Sequence, residues 1–388
     1  MRLSDVRRPA DAEPRVTTME LFFDVVYVFA ITQLSHTLVE HLTLRGAIET
    51  LILFAGVWWA WNLTAWATNW VDPDQLPVRL LMIVLMLLSL IMSASIPEAF
   101  GARGASFAGA YVAMQLLRAG FMVWALRGEV MGRNYAQLLV WNAFGGAAWI
   151  AGAMADGDVR LGLWVAAVVI DYAAPMLGFV LPRVGRTLMS DWSLAPGHLA
   201  ERCQLVVIIA LGESILITGV GFSELERTTA TVAAFASAFL GSAALWWLYF
   251  ARHSEATVQR VSQSEDPARL GRGGYAYAHA MMVAGVIVTA VGDELVIGHP
   301  RGDTDTATAA SVIGGPAIYA AGMIVFVIST GGLDRLERVM SAAFFAGLAV
   351  LALAATALSP LALSAATMLA LFALVAAAAL HAAEAEPA

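Results

Sequence analysis

About a dozen times along its length this chain runs for some twenty residues with almost no charge, as in "LPVRLLMIVLMLLSLIMSASI" and "VVIIALGESILITGVG". No other feature restricts its fold as strongly. A hydrocarbon core of about 30 Å is crossed by about 20 apolar residues in an α-helix, which satisfies its backbone amides within the segment. The runs predict an all-α polytopic membrane protein with about twelve transmembrane helices. The first six lie near 18–38, 46–69, 77–97, 104–126, 135–155 and 160–181. The second six lie near 199–220, 229–251, 275–297, 307–330, 338–358 and 361–383. Because the runs are continuous rather than alternating, a transmembrane β-barrel is excluded.

Composition agrees: 60% of residues are hydrophobic and 13% charged, against about 45–50% and 25% in soluble domains. The net charge of −8 sits in loops and tails and identifies no partner. All 22 basic residues are Arg. The one cysteine, Cys203, excludes an internal disulfide and a cysteine metal cage. Short loops carry Gly, Pro and Asp ("VDPDQLP", "PEAFGARG", "ADGD", "GHPRGDTD"), and the longest connection, 252–274, reads as polar and partly helical on the surface. Residues 1–17 lack the apolar core of a signal peptide and read as a retained, mobile cytoplasmic tail.

Orientation follows from Arg. With the N-terminus cytoplasmic, fifteen Arg fall in inside segments and only Arg45, Arg103, Arg160, Arg227 and Arg301 in outside loops. That bias places both termini of a bacterial inner-membrane protein in the cytoplasm. Internal similarity is also visible. "VVYVFAITQ" pairs with "VVIIALGE", "WWAWNLTAW" with "LWWLYFARH", and two spans each follow a "DP". The order predicts two parallel six-helix repeats: 18–181, a cytoplasmic linker over 182–198, then 199–383 and a short C-terminus over 384–388.

Ionisable residues inside such spans are costly and face the bundle interior, so they are the candidate site. In the first span, Thr17-x-x-Glu20 has the form of a capping box. Asp24 lies one turn deeper and needs a cation, a proton or donors; Gln33 and His36 lie toward the other end. The seventh span carries Glu201 and Arg202 at its mouth, where they read as an interfacial ion pair with neighbours. Gln204 follows inward, and Glu213 sits deep in the apolar run. Glu213 is placed to take up and release a proton. Trp58, Asn62, Trp66 and Asn69 form one helical stripe in the second span, with Asn62 nearest its middle. Arg118 and Asp171, at similar depth in parallel helices, predict a buried ion pair. Asp293, Glu294 and Glu98 end their spans and read as solvated mouths. No catalytic, phosphate-binding or metal-ligand spacing is present, so no cofactor, metal or nucleic-acid partner is expected.

These segments resemble the bacterial low temperature requirement protein A (LtrA) family. The resemblance is carried by "ELFFDVVYVFAITQLSH", by "VWWAWNLTAWATNW" with "DP" after it, and by "HLAERCQLVVIIALGESIL". "DYAAPM" and the Arg118 span also fit, so essentially the whole chain is covered. The resemblance implies a polytopic inner-membrane protein linked by name to growth in the cold, and no particular activity. Cys203 and Gln204 depart from the more aromatic or small residues of that pattern. "FFD" is also similar to the F-S-D start of an endolysosomal potassium/proton channel family of six-span repeats. The leading functional expectation is a permease, channel or carrier for a small ion or solute, not an enzyme. Proton coupling would use Asp24 and Glu213 facing each other. A membrane-state sensor or assembly factor is the alternative. A lipid enzyme would need a D-D-x-x-D-like cluster, and "VDPD" is only a turn. A homo-oligomer is left open.

Overall fold

In the computed structural model the described residues are 6–8, 15–188, 191–192, 194–251, 264 and 267–385. Among them the long elements are all helices. In chain order these are α1 (Thr18–Glu40), α2 (Leu44–Ala67), α3 (Leu76–Ala94), α4 (Gly104–Ala125), α5 (Val130–Ala153) and α6 (Gly157–Met176). They continue as α7 (Pro196–Ser223), α8 (Thr229–Phe250), α9 (His279–Gly298), α10 (Thr306–Thr330), α11 (Arg335–Ala354) and α12 (Pro360–Ala385). Eleven segments are long and apolar enough to cross a membrane. The remaining helix, α5, is as long but carries Arg133, Asn134, Gln137 and Asn142.

The exposed faces show which solvent this fold suits. On α3 the outward residues Leu80, Ile83, Val84, Leu87 and Ile91 are aliphatic, while Ser89 and Ser93 point inward and are buried. An apolar stripe of that extent would aggregate in water and is at home in lipid. Serines can be inside because each hydroxyl donates to the carbonyl a turn back, Ser89 to Leu85 and Ser93 to Ser89.

The chain divides into two compact units, Met1–Leu205 with Ser264–Gly271, and Val206–Gln263 with Arg272–Ala388. In the first, α2 is the central helix, packed by α1, α4 and α6; α3 bridges α1 and α4, and α5 lies between α4 and α6. Tryptophans fill the gaps: Trp59 stacks on Tyr172 of α6, and Trp149 of α5 packs against Phe107, Tyr111 and Trp164. In the second unit α9 and α10 pack antiparallel along a glycine seam. A Cβ on Gly285 would stand 2.6 Å from the Tyr319 amide nitrogen, and one on Gly315 would stand 2.5 Å from that of Thr289. Small residues are what let two backbones come this close. Around the seam, α8 and α12 pack on each other, and α11 packs on α10 and α12.

Three expectations change. Of the tail expected to be mobile, 1–5 and 9–14 lie outside the described residues, but Val6 is buried and Arg7 pairs with Val71 in an isolated bridge. Most of the 252–274 connection also lies outside the described residues. Its described end is helical, in keeping with the partly helical reading, but the ninth span starts ahead of the expected 275: Pro267–Gly271 is followed by a π-helical turn, Arg272–Ala278, that runs into α9. The π turn is tied by His279. Its Nδ1 lies 2.8 Å from the Gly274 carbonyl, so Nδ1 carries the hydrogen and Nε2 accepts from Tyr249 Oη at 2.8 Å. Finally, Asp293 is buried rather than solvated.

Candidate functional site

The most concentrated chemistry lies in the first unit, where α1 begins. Thr17 and Glu20 form the expected capping box: Thr17 Oγ1 accepts the Glu20 amide at 3.3 Å, and Glu20 Oε2 accepts the Thr17 amide at 2.9 Å. Glu20 nevertheless does more than cap. Fully buried, it also accepts from Arg8 Nη2 at 3.0 Å, from His198 Nε2 at 2.8 Å and from Arg202 Nη1 at 3.2 Å.

One turn along, Asp24 has both oxygens engaged. Arg202 grips it with Nη2 to Oδ1 at 2.6 Å and Nε to Oδ2 at 3.0 Å, and Trp61 Nε1 of α2 donates to Oδ1 at 2.7 Å. This two-point fork is the strong geometry for a guanidinium and a carboxylate. The same guanidinium sits 5.9 Å from the centres of the Phe23 and Trp61 rings, whose faces attract a cation. Thr68 adds acceptors to both arginines: its hydroxyl takes Arg202 Nη1 and its carbonyl takes Arg8 Nε.

His198 has a defined tautomer. The Ala195 amide donates to Asn69 Oδ1 at 2.8 Å, which turns Asn69 Nδ2 toward His198 Nδ1 at 3.2 Å. Nδ1 is therefore the acceptor and Nε2 carries the hydrogen given to Glu20. Two carboxylates and two guanidiniums thus make a formally neutral cluster. It joins the N-terminal segment, α1, α2 and the start of α7. Neutrality and saturated hydrogen bonding are what make such burial tolerable.

The second polar feature of this unit corrects the expected ion pair. Arg118 and Asp171 are both buried, but they do not meet directly. Asp171 Oδ2 accepts from Tyr111 Oη at 2.6 Å and from Trp149 Nε1 at 3.0 Å. Gln115 Nε2 donates to Tyr111 Oη at 2.7 Å, and Gln115 Oε1 accepts from Arg118. The charges are linked in series through Tyr111 and Gln115. Arg118 also reaches across to Ala60 O and Thr64 Oγ1 of α2. The reason is geometric: Tyr111, Gln115 and Arg118 are spaced i, i+4, i+7 on one face of α4, so the shorter side chains stand between the ends.

The other anticipated residues take separate places. Arg202 turns wholly inward, whereas its neighbour Glu201 is exposed and accepts the Val16 amide, so the two do not pair with each other among the described residues. Gln204 is half-buried in the following turn. Gln33 is half-buried on α1, about 14 Å along the axis from Asp24 at 1.5 Å per residue. Asn62 is buried beside Trp61 but turned about 100° from it, and its Oδ1 has no protein partner among the described residues. Glu213 is buried and belongs to the second unit. Arg8, His198, Trp61, Thr68, Tyr111 and Gln115 were not anticipated as site residues. In sequence Arg202 stands out as a charge at the edge of an apolar run, but it reads as part of an interfacial ion pair rather than as turned inward.

One further acidic trio is accounted for locally. Asp334 and Glu337 form the capping box of α11, and His381 Nε2 lies 2.6 Å from Asp334 Oδ2 at the surface.

Residues 15–383, which include every member of both polar features except Arg8, match the model of the family described as bacterial low temperature requirement A protein (LtrA). The chain belongs to the LtrA family. Among curated proteins, the uncharacterized protein RA0937 of Rhizobium meliloti (strain 1021) is similar. The two are 33% identical over 320 residues, which covers 82% of this chain and 78% of that protein. No solved structure matches the chain. Family membership and long apolar helices together make this a multi-pass membrane protein of bacterial type.

Proposed function

We propose that this LtrA-family protein is a permease or channel for a small ion or solute in the bacterial cytoplasmic membrane. The observation that carries the reading is the buried, neutral Arg8–Glu20–Asp24–Arg202 cluster. Ionised groups inside an apolar bundle mark pathways more often than scaffolding. Arg202 already reaches both acids, so a small shift of the start of α7 would exchange its partners, and such an exchange is a gate. The Arg118–Gln115–Tyr111–Asp171 series continues the polar interior beyond it.

Twelve spans, both termini cytoplasmic and two six-helix repeats complete the proposal. In support of the repeat, helix pairs pack in the same order in each unit. The α2–α4, α2–α6, α3–α4, α4–α5 and α5–α6 pairs have counterparts in α8–α10, α8–α12, α9–α10, α10–α11 and α11–α12. Proton coupling, the finer form of this reading, we place at Glu213, which is buried in the apolar part of α7.

The test is flux into liposomes holding the purified protein, screened across K⁺, Na⁺, H⁺ and amino acids. Transport above empty liposomes, cut at least about tenfold by Asp24→Asn, is expected; each factor of ten is about 1.4 kcal/mol. Absence of flux for every solute, or flux indifferent to Asp24, would overturn it. A second reading, a sensor or assembly factor without transport, is favoured by the full engagement of all four carboxylate oxygens of Glu20 and Asp24. It predicts that Asp24→Asn lowers the melting temperature while even the unmodified protein moves nothing.

A further inference from the structure

Within the second unit, a small cavity lies between α8, α9, α10 and α12 near the ends where α8, α10 and α12 begin. Its polar lining is Asp293 and Thr289 of α9, Ser237 of α8, and Ser364 and Thr367 of α12; Val312 and Pro316 of α10 border it, and Met368 and Leu371 give it an apolar side. Asp293 is more than nine-tenths buried, and its Oδ2 has no hydrogen-bond partner among the described residues. Thr367 Oγ1 is also buried without a partner. A buried carboxylate in a cavity with no Arg, Lys or His in the lining leaves a negative charge to be met.

The other groups are arranged as acceptors. Thr289 Oγ1 spends its hydrogen on the Gly285 carbonyl at 2.8 Å, which leaves its lone pairs free. Ser237 and Ser364 hydroxyls share one hydrogen bond at 2.9 Å, which also leaves oxygen lone pairs open. Pro316 lies within α10 and has no N–H to return to the carbonyl of Val312, one turn earlier. Pro316 therefore frees the carbonyl of a residue that lines the cavity, and a freed helix carbonyl near a buried acid is a recurring way to hold a dehydrated cation.

We propose that this cavity is a binding site for one dehydrated alkali-metal cation, with Asp293 as its charge partner. Size and charge select the class. About 20 Å³ is open to the centre of a water-sized sphere, room for one water-sized body and too little for an organic solute. All ligands are hard oxygens, which suits alkali and alkaline-earth ions rather than soft metals. A single carboxylate neutralises a single positive charge, whereas a divalent ion would leave the buried site cationic. An apolar cluster of Ala234, Ala238, Val296, Ile297 and Leu363 adjoins the cavity through Val312, which belongs to both.

Binding is an equilibrium property, so its test stands apart from any measurement of transport. Purified full-length protein is melted in NaCl, KCl and choline chloride at equal ionic strength and fixed pH. A saturable rise of roughly 5 °C in Na⁺ or K⁺ over choline is expected at about a hundredfold excess over Kd. Asp293→Asn should abolish the difference. Thr367→Val and Ser364→Ala, which keep the carboxylate, should raise the half-saturating concentration at least tenfold and so keep the test decisive if Asp293→Asn does not fold. Equal melting in all three salts, or a Na⁺ response that survives all three variants, would overturn the proposal. So would a melting temperature that follows pH but no cation, which would make Asp293 a protonation site instead.

Discussion

At the scale of single residues, the cluster at the start of α1 is a case where removing one partner costs more than the pair contributes. Arg202→Met would leave Asp24 and Glu20 buried with only Arg8 for charge balance, and a cost of about 3–5 kcal/mol is expected. Asp24→Asn combined with Arg202→Met removes one charge of each sign and should recover a measurable part of that loss. A double-mutant cycle on melting temperature in detergent reads the difference; strict additivity would mean that the fork contributes no coupling. Tyr111→Phe interrupts the link between Asp171 and Gln115 and should destabilise by about 1–3 kcal/mol, as expected when a buried carboxylate loses a donor. Much of this chemistry was visible in sequence: Glu20, Asp24, Arg118 and Asp171 each stood out as charges in apolar runs. Their partners were not. A long side chain such as that of Arg202 can point outward to an interface or inward to an acid, and spacing along one helix does not decide between them.

At the scale of elements, the α9–α10 pair shows how a helix is chosen for closeness rather than for a hydrophobic stripe. Gly285 and Gly292 on α9, with Gly315 and Gly322 on α10, sit at seven-residue spacing and face the opposing backbone. Gly315→Leu should therefore prevent the second unit from packing, read as loss of a monodisperse peak in size-exclusion chromatography. Gly314→Leu is the control. A Cβ at Gly314 meets nothing within 4 Å, so this neighbour should be tolerated apart from intrinsic helix propensity. Helix positions were readable from hydropathy because each span must satisfy its own backbone and cover itself with apolar side chains. Their ends were less so: hydropathy places the ninth span from 275, whereas the π-helical turn that runs into α9 begins at Arg272. The seam itself was not anticipated, because glycine in an apolar run is equally compatible with a lipid-facing gap.

For the whole molecule, a fully buried Cys203 makes topology directly measurable. The unmodified protein should resist a membrane-impermeant maleimide. Asp303→Cys, exposed between α9 and α10, should label in intact cells; Asp74→Cys, exposed between α2 and α3, should label only after permeabilisation. The reverse pattern would invert the proposed orientation, and labelling of both from one side would break the alternation of spans. What the sequence determined by itself was the solvent and the secondary structure: helices of membrane length, family membership, and which residues are too polar for lipid to leave unexplained. Those follow from composition along a single segment, which is local. The tertiary structure alone decided who pairs with whom. It drew Arg8, His198 and Arg202 to Glu20 and Asp24, put Tyr111 and Gln115 between Arg118 and Asp171, and moved Asp293 from an expected solvated mouth to a buried place beside the hydroxyls of Thr289, Ser364 and Thr367. The physical reason is that a buried charge is satisfied by whatever its neighbours in space provide, and in a helical bundle those neighbours are set by packing between segments far apart in the chain.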